Sequence, residues 1–298
     1  MRITNNMVTN SVITELQQLD TQQSSLQAEV SDGLAVTQPS DNPAAFGEVI
    51  QEEGQSSQLA QFSQNAAQAL NLAQASYAGI NSLTQVYDSA TELATEATGT
   101  LGANADAGYA DELNQLIQQA VSVANSQSDG NYLYAGTAVN APPFTTTTDA
   151  EGNISSVSYV GNYEQTAIPL SATNSVAAST SGDTNAGFAA MINNMIAVRD
   201  AMTSGDPTAL AAAVTGLNNS EDVLSGAAAD NGAAQLSIQS EQTQEQSNST
   251  ELTSLISSLT DANLPTTIAS LDQVQLAYQA AMETASKILQ LSLTQYLQ

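Results

Sequence analysis

Near the start of the chain, apolar residues step by four and three: Val12, Leu16, Leu19, then Gln23, Leu26 and Val30. That spacing keeps one side of a helix in a single seam, as in a coiled coil. The last stretch shows the same rhythm. Ile268, Leu271, Gln275, Tyr278, Met282, Ala285, Leu289, Ser292 and Tyr296 form one stripe, and Leu264, Val274, Ala281, Ile288 and Leu291 form a second. Neither Gly nor Pro interrupts the chain after Pro265. About 30 helical residues make a rod of roughly 45 Å. One rod with two apolar stripes needs more than one neighbour. The plain alternative is an amphipathic helix packed on its own domain, and the matching pattern at the other terminus argues against it. The simplest partner for each terminal rod is therefore the other, with further copies of the chain on the outer stripe.

Between the rods the pattern predicts more helix. Asp32-Gly33 ends the first one, and Asn42-Pro43 starts the next as N-cap and first helical position. Phe46 through Ala94 keep helical spacing, with Gly54 and Gly79 as candidate bends. Gly99 to Gly108 reads as a loop of small residues. A returning helix is expected from about Tyr109 to Ser126. The period then shortens. Tyr132–Thr137, Ile154–Val160 and Ala167–Leu170 read as strands, and Asp149–Asn153 as a hairpin loop, while 171–185 reads as loop. Helices resume at about Ala186, pause at Gly205-Asp206-Pro207, and include Leu210, Val214, Leu217 and Leu224. From Asn231 a long helix is expected to feed through Leu264-Pro265 into the last rod.

The expected fold is mainly α. The long N- and C-terminal helices pair as a coiled coil, a helical bundle forms the middle, and a small β-rich insert lies at the tip. In residue ranges, 1–42 plus 263–298 form the terminal assembly domain. Residues 43–131 plus 186–262 form the bundle, and 132–185 the insert. Assembly is expected to fall on Val12, Leu16, Leu19, Leu26, Val30, Ile268, Leu271, Tyr278, Met282 and Leu289.

Composition narrows the function. Thirty carboxylates stand against three basic residues, Arg2, Arg199 and Lys287, for a net charge of −27. A polyanionic backbone would be repelled, so no nucleic acid is expected as partner. An anionic membrane surface finds no basic patch, and no run approaches a membrane span, so no membrane partner is expected either. With no His and no Cys, neither a Ser-His nor a Cys-His nucleophile pair can be built. A Ser-Lys pair would need Lys287, in the last seam. The carboxylate pairs Glu52-Glu53, Asp111-Glu112 and Glu221-Asp222 sit where solvated helix faces or first turns explain them. The loop Asp149-Ala150-Glu151-Gly152-Asn153 lacks the full spacing of a calcium loop. The expectation is therefore a non-enzyme without cofactor or metal site. No cleaved secretory signal is visible after Arg2, so the protein either stays inside the cell or leaves by a route that reads none.

Two segments carry a family resemblance. Met1-Arg2-Ile3-Thr4-Asn5-Asn6-Met7 with Pro39-Ser40-Asp41-Asn42-Pro43-Ala44-Ala45 at one end, and Gln279-Ala280-Ala281 through Ala285–Leu293 to Tyr296-Leu297 at the other, resemble the bacterial flagellin family. Gly130–Thr137 followed by Pro142-Pro143-Phe144 resembles the branch of that family that joins hook to filament more than filament flagellin. The chain departs from the pattern at Thr91, where some flagellins carry the Arg of a segment read by an innate immune receptor. The resemblance implies a secreted, extracellular structural subunit used in motility, with flagellin itself as the alternative. It also implies the partners: other copies of the chain, hook-associated protein 1, flagellin, and the flagellar export apparatus with its chaperone.

Overall fold

The computed structural model describes residues 5–99 and 103–296, with side chains over 10–99 and 108–288. Its helices are α1 (Asn5–Asp32), α2 (Pro43–Gly99), α3 (Ala103–Ala124), α4 (Gly182–Ser204), α5 (Pro207–Asn218), α6 (Glu221–Thr260) and α7 (Leu264–Tyr296). Between α3 and α4 run three antiparallel strand pairs. These are β1 (Gln127–Ser128) with β2 (Asn131–Tyr132), β3 (Phe144–Thr148) with β4 (Ile154–Tyr159), and β5 (Ala167–Pro169) with β6 (Ser175–Ala177). The architecture is mainly α with small β additions, as the periodicity predicts. Contacts divide the chain into two units, Met1–Gln58 with Ser249–Gln298, and Leu59–Asn248. Both α2 and α6 contribute to each unit, and the strand pairs fall within the second.

Helix boundaries follow local chemistry. Gly33 adopts φ +74°, and its N–H bonds to the Glu29 carbonyl at 2.9 Å, which ends α1. Asn42 caps α2, its side-chain oxygen accepting from Ala45 N–H at 3.2 Å, with Pro43 in the first turn. The break at Gly205-Asp206-Pro207 is built as expected. Gly205 is left-handed at φ +64°, and the Asp206 carboxylate accepts from the Thr208 and Ala209 amides.

The second unit holds the main core. Ile80, Leu83 and Tyr87 of α2 meet Leu113 and Ile117 of α3, Phe188, Met191, Ile192 and Met195 of α4, and Leu217 and Leu224 of α5 and α6. A smaller cluster joins Ala66, Ala69 and Ala73 of α2 to Leu170, Ala178 and Ile238. Its short alanines leave room for larger apolar neighbours. The β3–β4 hairpin is tied down at both edges by amides. Asn125 exchanges two hydrogen bonds with the Phe144 backbone at 2.9 and 3.0 Å, and Asn193 does the same with Val157 at 2.9 and 2.8 Å. These side chains occupy strand-edge groups that would otherwise need water or another strand.

Several sequence expectations need correction. Neither Gly54 nor Gly79 interrupts α2, which runs unbroken from Pro43 to Gly99. Gly79 has a packing reason instead: a Cβ there would lie 2.1 Å from the Tyr134 hydroxyl. The strand expected over Tyr132–Thr137 stops at Tyr132. Beyond it Tyr134 is fully buried, donates to the Ser76 carbonyl at 2.8 Å and meets Phe188 edge-on, while Gly136 turns the chain at φ +65°. Burying a phenol where its O–H finds a partner outweighs the ladder bonds of a short strand. Strand β6 lies in the Ser- and Ala-rich segment read as loop, and α4 begins at Gly182, capped by Ser181, rather than at Ala186. Leu224 belongs to α6, which starts at Glu221 instead of Asn231, its first-turn acids suiting a helix N-terminus. Nor does α6 run on into α7. The chain breaks at 261–263, where Asn263 accepts from the Thr267 amide at 2.9 Å and Pro265 cannot continue the preceding helix. The expected Gly99–Gly108 loop is shorter, since α3 already begins at Ala103; residues 100–102 lie outside the described residues.

Candidate functional site at the terminal helix pair

The first unit is organised around α1 and α7, which lie against each other. The two helix breaks are stitched together. Ala35 N–H bonds to the Thr260 carbonyl at 2.7 Å, Ala262 N–H to the Gly33 carbonyl at 2.8 Å, and Leu34 bridges Asp261 in antiparallel fashion. From this junction α1 runs back and α7 runs forward, so the pair is antiparallel. One turn out, the Thr267 hydroxyl donates to the Glu29 carboxylate at 2.9 Å. A little further along the linker, the Asp41 carboxylate gathers the Thr37 and Gln38 amides, which hold its pKa below the usual carboxylate range.

On α1, the half-buried positions include Val12, Leu16, Leu19, Gln23, Leu26 and Val30, the seam read from the sequence. On α7 the covered positions include Thr267, Leu271, Val274, Tyr278, Ala281, Ala285 and Ile288, again in steps of four and three, with Ser270 and Gln275 half-buried beside them. Thr267 and Val274 are the most enclosed of these, at 6% and 8% exposure. The seam therefore takes Leu271, Tyr278 and Ala285 from the first stripe and Val274, Ala281 and Ile288 from the second. Ile268 and Met282 each follow a seam residue by one position, about 100° round the helix. They stay 46% and 49% exposed. Leu264, Leu276 and, on α1, Ile13 are exposed as well. The side chain of Leu289 lies outside the described residues.

Thus Val12, Leu16, Leu19, Leu26, Val30, Leu271 and Tyr278 are brought together within one chain, whereas Ile268 and Met282 are not. Scattered exposed leucines are ordinary on a protein surface. Ile268 and Met282 repeat at one position just outside the seam, Leu276 lies on the far side of the helix and Leu264 continues the seam's own register before Thr267; each such side chain is worth roughly 1.5–3 kcal/mol when fully covered. Sequence periodicity found both stripes of α7. It missed which residues turn inward, because a stripe pattern fixes spacing along a helix and not the direction from which the neighbour approaches.

The other residues weighed for chemistry stand apart. Asp111, Glu112, Glu221 and Asp222 are exposed on helix faces. Among the described residues no three acidic side chains converge as metal ligands would, and no helix is long and apolar enough to cross a membrane. Asp149 closes its hairpin by accepting the Glu151 and Asn153 amides at 3.1 and 2.7 Å. Arg199, 6% exposed, donates to Asp200, to the Asn114 side chain and to the Ile154 carbonyl, so it clamps α3, β4 and α4 together. Glu245 is buried in α6, and one of its carboxylate oxygens has no hydrogen-bond partner. Its pKa is pushed up, first by burial and then by the Glu241 charge.

Comparison with known proteins agrees with the resemblance read from the termini. Residues 3–139 match the family described as the bacterial flagellin N-terminal helical region. No curated protein matches the chain by sequence. Solved structures share its fold at low identity. A protein assigned as flagellar hook-associated from Vibrio parahaemolyticus aligns with TM-score 0.66 and 15% identity, covering 74% of this chain and all of that one. FlgL of Bacillus cereus aligns with TM-score 0.59 and 16% identity over 69% of this chain and 98% of that one. Flagellar hook-associated protein 3 of Legionella pneumophila gives TM-score 0.57 and 12% identity over 71% and 98%.

Proposed function

We propose, from the flagellin-type N-terminal region and the fold shared with hook-associated proteins, that this chain is a structural subunit of the bacterial flagellum that joins hook to filament. The carrying observation is the α1–α7 pair, closed by an internal seam yet leaving Ile268, Leu276 and Met282 exposed outside it. In this role the subunit is secreted through the flagellar export apparatus with a chaperone and acts without catalysis. The terminal parts, 1–42 and 263–298, meet neighbouring subunits, and 132–185 faces outward. The neighbours are further copies of the chain, hook-associated protein 1 on the hook side and flagellin on the filament side. Val12, Leu16, Leu19, Leu26, Val30, Leu271 and Tyr278 set the shape of the pair, while Ile268 and Met282 lie on the side offered to neighbours; Leu289 is assigned to assembly on the sequence pattern alone.

Gene deletion tests the role. Deleted cells are expected to build hooks, release soluble flagellin and lack attached filaments. Filaments still anchored to hooks would contradict it. Loss of flagellin itself from both filament and medium would favour the second reading, a filament flagellin, which the name of the matched family supports.

A further inference from the structure

One face of α6 carries Ala227, Asp230, Asn231 and Ala234, at steps of three and four. That face, the end of β6 and the first turn of α4 enclose a pocket of about 240 Å³. It has room for several waters or one small molecule, and is smaller than the clefts that take drug-sized ligands. Asn231 lines the pocket although it is only 6% exposed. Its side-chain oxygen accepts from the Gln235 amide at 2.7 Å, while its side-chain nitrogen has no acceptor among the described residues. Two N–H donors of a buried amide are thus left to the pocket. Acceptors stand beside them. Asp230, exposed on the same turn, brings a carboxylate to the rim, and Ser179 brings a hydroxyl. Gln165 donates to the Ser179 carbonyl at 2.6 Å, which leaves its side-chain oxygen to accept. The buried methyls of Ala178 and Ala227 form part of the wall.

The chemistry narrows the occupant. An anion would meet Asp230, in a chain of net charge −27. A hard cation takes several carboxylate or carbonyl oxygens, and Asp230 is the one carboxylate among the described lining residues. No aromatic ring lines the pocket to stack a flat ligand. A neutral ring bearing several hydroxyls meets all three conditions. Each hydroxyl both donates and accepts, so two neighbouring ones take up the Asn231 donors and the Asp230 acceptor together. The C–H face of such a ring suits alanine methyls. We propose that this pocket is a binding site for one ring of a neutral sugar, anchored by Asn231 and Asp230. All of its lining residues fall within the second unit, so the site adds a ligand to the structural role and does not rest on it. The ring comes either from a free monosaccharide or from the exposed end of a glycan.

The test is NMR on the isotope-labelled full-length chain, read at the Asn231 side-chain amide. The probes are the methyl glycosides of glucose, galactose, mannose and N-acetylglucosamine, with inorganic phosphate and calcium chloride as charged counterparts. A printed array of neutral glycans tests the second source. The expected result is a saturating shift of that amide with at least one sugar, at a Kd of about 1 mM, as a few hydrogen bonds in a small pocket allow. Asp230→Asn removes a charged acceptor at an exposed position and should weaken binding by about tenfold. Asn231→Asp keeps the bond from Gln235 but replaces two donors by an acceptor, and should abolish binding. If Asn231→Asp melts below the parent, Asp230→Asn decides alone. Saturation by a free glycoside supports a monosaccharide site, and binding confined to the array and weakened by Asp230→Asn supports a glycan-end site. Binding of no sugar in either format, sugar binding unchanged in Asp230→Asn, or a shift with phosphate or calcium in place of sugar overturns the proposal.

Discussion

Replacing Gly79 with Ala should destabilise the second unit, although alanine is the better helix former. On propensity alone the change gains about 1 kcal/mol in a helix interior. The site removes that gain and more. The new Cβ would lie 2.1 Å from the Tyr134 hydroxyl oxygen and 3.1 Å from the carbon that bears it. The clash is with a ring that has no room to retreat. Tyr134 is fully buried and stacks edge-on against Phe188 at 5.6 Å. Its hydroxyl would be driven off the Ser76 carbonyl, to which it donates at 2.8 Å. A buried hydroxyl left unpaired costs about 1–3 kcal/mol, and overpacking a core costs about 1–3 kcal/mol. The net expectation is a loss of roughly 3 kcal/mol. In a unit of this size that lowers the melting temperature by roughly 6–12 °C. The matched control is Gly54→Ala, on the same helix, where an added Cβ meets nothing within 4 Å. That variant should melt at or slightly above the parent. Near-ultraviolet circular dichroism suits the measurement, since the chain has no Trp and its signal is largely from tyrosine. A Gly79→Ala protein as stable as Gly54→Ala would refute the placement of Tyr134 against α2.

Other expectations follow from single contacts. Asn193→Ala removes two hydrogen bonds to the Val157 backbone, and should cost about 1–3 kcal/mol and raise hydrogen exchange first in β4. Glu245→Gln should stabilise the fold at neutral pH. The raised pKa of Glu245 means the folded state holds its proton more tightly than the unfolded chain. The stabilisation is full below the ordinary glutamate value of 4.5 and is lost as pH rises through the folded value. Chemical denaturation at pH 4 and pH 7 should thus show the parent falling relative to the variant, and a parent that gains on it would sink the idea. Deleting 289–298 should abolish incorporation into the flagellum while the second unit keeps its thermal transition; normal motility with intact filaments would count against the role. Ile268→Ser should leave the monomer's melting unchanged within experimental error, whereas Val274→Ser, in the seam, should loosen the α1–α7 pair by roughly 1–3 kcal/mol.

Much of this was legible in the sequence because local chemistry decides it. The seam at Val12, Leu16, Leu19, Gln23, Leu26 and Val30 depends on spacing alone. Gly33, Asn42-Pro43 and Gly205-Asp206-Pro207 each encode a helix end in two or three residues. Where the deciding partner is distant in sequence, the reading fell short. Gly54 and Gly79 look alike until Tyr134 arrives from 55 residues away. Asn125 and Asn193 read as polar helix positions, yet they saturate strand edges. On α7 the two stripes were visible, but Val274 turns inward and Ile268 outward only because of where α1 lies. The small residues Ser175–Ala177 carry no strand signal of their own and pair because Ala167–Pro169 lies opposite.

The most direct test of a junction role is where the protein sits on the cell. Antibody raised against the second unit, followed by gold labelling of intact flagella in the electron microscope, reads this in one image. A single band at the distal edge of the hook is the predicted result. Gold distributed along the whole filament, or absent from the flagellum altogether, would contradict it.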